Sequence, residues 1–321
     1  MNPRVVVVTQ QMVDEERVRQ MAPDGIELVI SSPADARWAD LMSQAEYLVG
    51  FVDMLVKPEL YRIAPRLRLI QLLSAGYDRA DIAAARKAGV PLANNGGANA
   101  VAVSEHALMF MLALSRKLLG QHANVVAGRW RGPSTPRLHE LRGQTLGIVG
   151  TGTTDNYTAR LAQAFGMRVH YYDIARLPED VEDALDVRFR LFGELLRDSD
   201  VLSLHVPLNE TTRGMVGEAE LARMKPSALL VNTSRGPVVD ERALHRALAA
   251  RTIAGAGLDV FDVEPPPADH PLFALDNVVL TAHMAGPTQE SNPARLRNAF
   301  DNVQRVARGE PALWVVPELS A

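Results

Sequence analysis

TLGIVGTGTTDNYTARLAQAFGMRVHYYD, residues 145–173, decides the fold of this 321-residue chain. An apolar run, a glycine-rich turn, an amphipathic segment and a second apolar run predict a strand, a turn, a helix and a strand. Gly150 allows the tight turn, and Gly152 lets the backbone approach a pyrophosphate at the N-terminus of the helix. Asp173 lies where an acid binds a ribose diol and disfavours a 2′-phosphate. The stretch therefore predicts a dinucleotide-binding βαβ unit.

One position in the glycine-rich turn departs from the dinucleotide-binding pattern. Asp155 stands where a third glycine is expected, and its carboxylate would lie near an anionic phosphate. Thr153 and Thr154 could instead offer hydroxyl and backbone N–H groups to that phosphate. An acid in the first helical turn also suits the positive end of the helix dipole. Two interpretations follow: a tolerated acid that points outward, or a carboxylate that weakens coenzyme binding.

Strand and helix patterns alternate on both sides of this unit, which indicates parallel sheets. We expect an α/β protein with two doubly wound parallel-sheet domains, a flavodoxin-like substrate domain and a Rossmann coenzyme domain, and a cleft between them. The expected substrate domain combines residues 1–98 and 289–321, and the coenzyme domain covers residues 99–288. A long apolar helix is predicted over 99–119, followed by an irregular crossing over 121–143.

Three polar residues follow strand-like runs in the second half of the chain. They are Arg235 in VNTSRGPVVD, Glu264 in GLDVFDVEP and His283 in TAHMAGPT. Residues just past the carboxyl ends of parallel strands face the ligand crevice. A fixed cation would hold a small anionic substrate, an imidazole would exchange a proton, and a carboxylate would orient the imidazole. This set predicts proton transfer at an oxygen of a small acid.

Composition excludes several classes of partner and site. The net charge is −4 and no basic run is present, so neither nucleic acid nor an anionic membrane is expected to bind. The chain has no cysteine, and its histidines lack paired ligand spacing, so no metal site is expected. The N-terminal run VVVV is too short for a signal peptide or a membrane span, and a cytoplasmic location is expected.

Seven stretches together resemble the D-isomer-specific 2-hydroxyacid dehydrogenase family over nearly the whole chain. They are LLSAGYD, NNGGANAVAVSEHAL, LRGQTLGIVGTG, HVPLNETTRGMV, VNTSRGPVVDERAL, GAGLDVFDVEP and TAHMAGPT. The resemblance implies that Arg235 binds the substrate carboxylate and keto oxygen, that His283 is the acid/base, and that Glu264 pairs with His283. It also implies that a loop supplies backbone donors to the substrate carboxylate, and the residues of this loop are Ser74, Ala75 and Gly76.

The same resemblance implies a set of contacts to NAD. Asp259 would bind the nicotinamide carboxamide, and Pro207 would pack near the adenine. Thr233 would lie along the nicotinamide with Arg235, and Gly286 would lie against it. Besides Asp155, the chain departs from the family where Thr154 replaces an aliphatic residue and where Ala282 replaces a proline that often precedes the histidine.

Two functions of different classes are consistent with these features. The first is an NAD-dependent 2-hydroxyacid dehydrogenase, an oxidoreductase acting mostly as a 2-ketoacid reductase. The second is a nucleotide-sensing or corepressor-like binding protein with impaired turnover, for which Asp155 is the main support. The resemblance disfavours phosphite oxidation, because LLSAGYD lacks the lysine that the phosphite enzymes of the family have in this loop. Formate oxidation is disfavoured by the length of the chain.

The sequence also predicts the pocket for the substrate side chain and the oligomeric state. An apolar set suggests a small or moderately apolar substrate side chain, and its members are Phe51, Met54, Leu55, Leu73 and Trp130. The helix over 99–119 and the Trp130 segment are more hydrophobic than one interdomain contact needs. We therefore expect a homodimer formed through the coenzyme domain.

Overall fold

The computed structural model describes residues 2–9, 14–132 and 136–320. The chain divides into two compact units. The first, which we call the terminal unit, combines Met1–Asn99 with Pro287–Ala321. The second, the central unit, is the continuous segment Ala100–Gly286. In the described part of the chain, no helix is both long enough and apolar enough to cross a bilayer.

The terminal unit contains a five-stranded parallel sheet. Its strands are β1 (Arg4–Val8), β2 (Glu27–Ser31), β3 (Tyr47–Gly50), β4 (Leu69–Leu72) and β5 (Leu92–Ala93). Its helices are α1 (Glu15–Met21), α2 (Trp38–Ser43), α3 (Pro58–Ile63), α4 (Ile82–Ala88) and, after the central unit, α12 (Ser291–Ala307). The strand order is β2-β1-β3-β4-β5. The chain thus turns to one side of β1 to form β2 and to the other side to form β3, which makes the β1/β3 boundary a topological switch point.

The central unit contains a seven-stranded parallel sheet in the order β12-β11-β10-β9-β6-β7-β8. Its strands are β6 (Thr145–Val149), β7 (Arg168–Tyr172), β8 (Val187–Phe189), β9 (Val201–Leu204), β10 (Leu229–Asn232), β11 (Gly255–Leu258) and β12 (Val278–Leu280). Its helices are α5 (Ala100–Ser115), α6 (Leu118–Val126), α7 (Thr153–Ala164), α8 (Glu179–Leu185), α9 (Phe192–Asp198), α10 (Glu218–Leu221) and α11 (Glu241–Ala249).

Both sheets are built from strands with continuous apolar runs, which allow both faces of each sheet to be covered. Val5, Val6, Val7 and Val8 of β1 are all fully buried, as expected where both faces of a parallel sheet are covered. In β9, Val201 packs in one apolar cluster while Leu202 and Leu204 pack in another, because successive side chains point to opposite faces. The expectation of two doubly wound parallel-sheet domains is confirmed.

The long helix predicted over 99–119 is interrupted near its end. Helix α5 ends at Ser115, and Lys117 adopts a left-handed conformation with φ of 50°, which starts a new helix. That helix, α6, covers part of the stretch expected to be irregular, and residues 133–135 of the stretch lie outside the described residues. The short elements α8 and β8 were not predicted, because the three residues of β8 give too short a pattern to recognise.

Candidate active site

The centre of the site is a hydrogen bond between two of the predicted residues. His283 Nδ1 lies 2.7 Å from Glu264 Oε2, and both side chains are partly exposed. Burial acts to raise the pKa of Glu264. The hydrogen bonds from His283 and from the Phe261 N–H, with the charges of His283 and Arg235, outweigh that effect and hold this pKa below its usual value. Glu264 is therefore ionised at neutral pH, and an ionised carboxylate only accepts, so Nδ1 carries the hydrogen. Nε2 is left for another partner.

The loop that carries His283 is held by a buried carboxylate. Asp259 follows β11 and is fully buried. Its Oδ1 accepts the Met284 N–H at 2.7 Å and its Oδ2 accepts the Ala285 N–H at 2.8 Å, while its carbonyl oxygen accepts the His283 N–H at 2.8 Å. The Thr281 hydroxyl also donates to Oδ1. This network fixes His283 in a left-handed conformation, with φ of 54°, that a non-glycine residue adopts rarely.

His106 of α5 extends this network into the core. Its Nε2 lies 2.9 Å from Thr281 Oγ1 and 3.7 Å from Asp259 Oδ1. Burial lowers the pKa of His106 despite the charge of Asp259, so the ring is neutral at pH 7. His106 is thus a packed, hydrogen-bonded residue of α5. No pattern in the sequence indicates that it supports the His283 loop.

The turn after β10 presents Arg235. Asn232, the last residue of β10, accepts the Ser234 N–H at 3.0 Å and donates to the Arg235 carbonyl oxygen at 2.9 Å. Gly236 follows, and a Cβ there would overlap the carbonyl group of Phe261. No side chain fits in that space, so the glycine brings the turn after β10 against the segment after β11.

A cavity of about 430 Å³ opens beside the His283–Glu264 pair within the central unit. Its walls are mainly apolar, and they include Phe261, Pro265, Pro266, Phe273 and Leu280. Apolar walls lower the local dielectric, which strengthens the electrostatic interactions of the two polar side chains.

The glycine-rich turn has the geometry that a dinucleotide requires. Gly150 has φ of 122°, which disfavours any other residue, and Gly152 precedes the first turn of α7. The Gly152 N–H is taken by Asp155, but Thr153, the first residue of α7, is exposed at the end of the helix where N–H groups favour an anion. Thr154 is half-buried, and its carbonyl oxygen accepts hydrogen bonds from the hydroxyls of Ser104 and Thr158.

Asp155 does not point outward, so that interpretation is wrong. It is 5% exposed, and its carboxyl group lies under the turn, where Oδ2 accepts the Gly152 N–H. Its Oδ1 lies 3.8 Å from His205 Nδ1 and has no hydrogen-bond partner among the described residues. Burial raises the pKa of Asp155 to about 8 and lowers the pKa of His205 to about 4. Both groups are thus mainly neutral at pH 7, and Asp155 places little negative charge beneath the turn.

Asp173 follows β7, as expected for a ribose ligand. Its Oδ2 accepts the Thr151 hydroxyl at 2.7 Å. Arg176, three residues on, is occupied by Glu182 through contacts of 2.8 and 3.0 Å. These contacts hold the pKa of Glu182 down at about 2. Because Arg176 is paired, it is not presented as a ligand for a 2′-phosphate.

The other predicted coenzyme residues lie at the ends of strands of the same sheet. Pro207 is exposed after β9, and its carbonyl oxygen accepts the Thr212 hydroxyl at 2.6 Å. Thr233 follows β10, and its buried hydroxyl has no partner among the described residues, which is costly unless a ligand supplies one. Gly286 is buried at the end of the His283 loop. The glycine turn and this hydroxyl therefore fit a dinucleotide.

The predicted substrate loop belongs to the terminal unit and follows β4. The Ser74 hydroxyl donates to the Gly76 carbonyl oxygen at 2.8 Å, and the Ser74 carbonyl oxygen accepts the Asn95 N–H at 3.0 Å. Ala75 is exposed. Within residues 2–9, 14–132 and 136–320, no three histidine or acidic side chains are grouped so as to hold a metal ion.

Comparison with known proteins identifies the family. The model of the D-isomer specific 2-hydroxyacid dehydrogenase NAD-binding domain matches residues 108–285. A glyoxylate reductase of Korarchaeum cryptofilum is 40% identical over 272 residues, covering 84% of this chain and 82% of that protein. One from Thermococcus litoralis is 37% identical over 309 residues, covering 91% and 93%.

Solved structures show the same relationship. A glyoxylate reductase from Paecilomyes thermophila superposes with a TM-score of 0.86 at 29% identity, over all of both chains. The D-lactate dehydrogenase from Aquifex aeolicus, complexed with NAD and lactic acid, gives a TM-score of 0.82 at 30% identity over 95% of this chain and 96% of that one. A corepressor-like function is not favoured by these matches. The chain belongs to the D-isomer-specific 2-hydroxyacid dehydrogenase family and is an NAD-dependent oxidoreductase that acts on a CH–OH group.

Proposed function

We propose that this dehydrogenase works mainly as a 2-ketoacid reductase with His283 as its acid/base. The observation that carries the proposal is the 2.7 Å hydrogen bond between His283 Nδ1 and Glu264. The ionised carboxylate stabilises the imidazolium form and orients the ring, so that Nε2 can donate a proton to the alkoxide formed at C2. NAD supplies the hydride donor or acceptor when it is bound.

Arg235 and the Ser74–Gly76 loop would bind the substrate. The guanidinium can hold a carboxylate oxygen and the keto oxygen in one planar fork, which polarises the carbonyl. The backbone N–H groups of the loop would donate to the substrate carboxylate. The exposed position of Ala75 and the fixed carbonyl oxygen of Ser74 support this role, because a restrained loop presents its donors without further ordering.

The coenzyme would bind along the carboxyl ends of the central sheet. Its pyrophosphate would lie on Gly150, Gly152, Thr153 and Thr154, and its adenosine ribose on Asp173. Pro207 would pack on the adenine, and Asp259, Thr233 and Gly286 would border the nicotinamide. The Asp259 carboxylate already accepts three hydrogen bonds from the loop that carries His283, so its main part in the site would be to position His283.

A kinetic screen tests the proposal. NADH oxidation is followed with glyoxylate, hydroxypyruvate and pyruvate, and then repeated with NADPH. We expect turnover, and we expect NADH to be preferred because Asp173 repels a 2′-phosphate. His283→Ala should lower kcat by about 10²- to 10⁴-fold while NADH still binds. His139→Ala, at an exposed histidine of the same unit, is the control. Near-normal turnover by His283→Ala would remove the assigned acid/base.

The proposed assembly is a homodimer formed through the central unit. Several large apolar side chains on α6 and the segment after it are at least half exposed, and they are Leu118, Leu119, Val125, Val126 and Trp130. Exposed apolar groups this close together mark an interaction surface, and two-fold pairing is the commonest way to cover one.

Since reduction needs the cell's nicotinamide pool, we also propose a cytoplasmic location.

A further inference from the structure

A second cavity lies entirely within the terminal unit, at the topological switch point of its sheet. Its volume is about 210 Å³. Arg17 of α1 follows β1, Phe51 follows β3, Leu73 follows β4, and Arg295 comes from α12. Ligands of open parallel sheets bind outside the carboxyl ends of the strands at such a point. The cavity is therefore where this fold is expected to hold a small molecule.

Arg295 is an unusual residue to line a cavity, because it is a buried cation that forms no ion pair with the residues described by the structure. It is 5% exposed, its Nε has no hydrogen-bond partner among the described residues, and burial acts on its pKa without any charge that opposes it. Its guanidinium carbon lies 5.7 Å from the centre of the Phe51 ring. Burial lowers the pKa of Arg295 to about 10, so it remains charged at neutral pH. A buried charge is costly unless an opposite charge reaches it.

The rest of the lining does not supply that opposite charge. Arg17 adds a second guanidinium. Asp14 is the one carboxylate among the described lining residues, and it caps α1, where its Oδ1 accepts the N–H groups of Glu16 and Arg17 at 3.0 and 3.4 Å. Two cations against one committed carboxylate leave one positive charge, which one further carboxylate would balance. Asn292 could add an amide donor.

The cavity also adjoins the loop proposed to bind the 2-carboxylate. Leu73 lines the cavity and is joined directly to Ser74, so the two sites are one residue apart along the chain. A volume of 210 Å³ equals that of about seven water molecules at the liquid density, which is enough for a short carboxyalkyl group.

We propose that the cavity binds a second carboxylate of the substrate through Arg295, so that the preferred substrates are 2-keto dicarboxylic acids. This inference rests on the proposed 2-ketoacid reductase function. It refines the apolar side-chain pocket expected from Phe51 and Leu73, since the two side chains share their cavity with two arginines. The hydrocarbon part of the substrate would pack on Phe51 and Leu73, and its terminal carboxylate would meet Arg295.

A matched pair of substrates tests the proposal. Oxaloacetate and 4-methyl-2-oxopentanoate have the same number and branching of non-hydrogen atoms, but only oxaloacetate carries the second charge. Wild type should reduce oxaloacetate with the higher kcat/KM. Arg295→Met should lower kcat/KM for oxaloacetate by about 30-fold or more and change the value for 4-methyl-2-oxopentanoate by less than about threefold. Arg295→Lys should retain part of the preference. Arg297→Met, at an exposed arginine on the same helix, should match wild type.

A binding measurement separates this inference from the proposed function. Malonate and its uncharged-tail analogue 3-methylbutanoate are titrated into wild type and Arg295→Met by calorimetry. Wild type should bind malonate more tightly, and the variant should lose that difference. Because the variant loses an unpaired buried charge, its melting temperature should not fall, and Arg295→Lys provides the test if it does. Failure of every 2-ketoacid to turn over would overturn the reductase proposal alone. The dicarboxylate inference would be overturned if wild type reduced the two 2-ketoacids with equal kcat/KM and bound malonate and 3-methylbutanoate with equal affinity. It would also be overturned if Arg295→Met affected both members of each pair equally.

Discussion

Gly236 lies directly against the backbone of Phe261, because a Cβ on Gly236 would overlap both the carbon and the oxygen of the Phe261 carbonyl group. Arg235 precedes this glycine, and the Phe261 N–H donates to Glu264 Oε1 at 3.1 Å. The contact therefore links the turn that presents the guanidinium to the turn that presents the carboxylate.

We expect Gly236→Ala to lower kcat/KM by about 100-fold, since small misplacements of binding groups are costly in catalysis. The added methyl must push the Arg235 turn away from Phe261. NADH affinity should change less, because the glycine turn of the coenzyme site is on other strands. Steady-state kinetics with a coenzyme titration measure both. Gly217→Ala is the control, because a Cβ at Gly217 would lie 3.4 Å from its nearest neighbour, Glu220 Oε2. Unchanged kinetics would show that this contact does not set the position of Arg235.

Glu264→Gln should lower kcat for reduction by about 10-fold or more, because the amide keeps a hydrogen bond to His283 but loses the negative charge beside the ring. Steady-state kinetics at pH 7 measure the change. An unchanged kcat would argue against charge stabilisation by Glu264.

The free energy of unfolding gives a second test of Glu264. The pKa of Glu264 is below its usual value in the folded protein, so its stabilising effect is present above the unfolded value and is lost as the pH falls through the folded one. The difference in free energy of unfolding between wild type and Glu264→Gln should therefore shrink below about pH 4. Urea unfolding across that range measures it.

Asp155 should make the stability of the wild type fall as the pH rises. Its folded pKa is about 8, well above the unfolded value, so its contribution is complete below about pH 4 and is lost as the pH rises through 8. The loss is at most about 1.4 kcal/mol per pH unit. His205, with a folded pKa of about 4, titrates in the unfolded state near pH 6.5, so its effect appears only as the pH falls below that value.

The window from pH 6.5 to 8.5 therefore isolates Asp155. Urea unfolding should show Asp155→Asn gaining stability over wild type across this window. NADH should bind the wild type less tightly at pH 9 than at pH 7, as the ionised carboxylate then lies under the turn. The affinity of Asp155→Asn should not change in this way. Parallel pH dependences for the two proteins would contradict the buried, proton-bound state.

Val126→Glu should convert the proposed dimer into a monomer. Val126 is 74% exposed on α6, and a carboxylate there would have to be desolvated in the interface. Light scattering at micromolar concentration measures the mass. Leu191→Glu, at an apolar residue that is 61% exposed elsewhere in the central unit, should leave the mass unchanged. A monomeric wild type would end the dimer proposal.

The parts of the site that the sequence predicted are those set by local patterns. The glycine turn around Gly150 and the strand ends before Arg235 and His283 follow from apolar runs and backbone requirements within a few residues. The break at Lys117 was missed because both α5 and α6 are apolar, and only two residues, one of them left-handed, separate the helices.

Side-chain direction could not be predicted in the same way. Asp155 was expected either outside the turn or near the phosphates, and the structure places it beneath the turn because its carboxyl group accepts the Gly152 N–H. Arg295 lies within a run whose Leu296, Ala299 and Phe300 form the buried face of α12. Arg295 directly precedes Leu296 and so lies beside that face, where a charged residue is normally taken for a surface residue. The cavity that encloses it is formed by segments distant in sequence.

The division of the chain into two units has a consequence for how new activities could arise. Arg235, Glu264, His283 and the glycine turn are all encoded by the single segment Ala100–Gly286, whereas Arg295 and the Ser74 loop are encoded on either side of it. Exchange of the flanking segments between homologous genes would then alter the choice of acid while leaving the hydride and proton chemistry intact. Selection could recruit such an enzyme to a different metabolite without rebuilding its reaction.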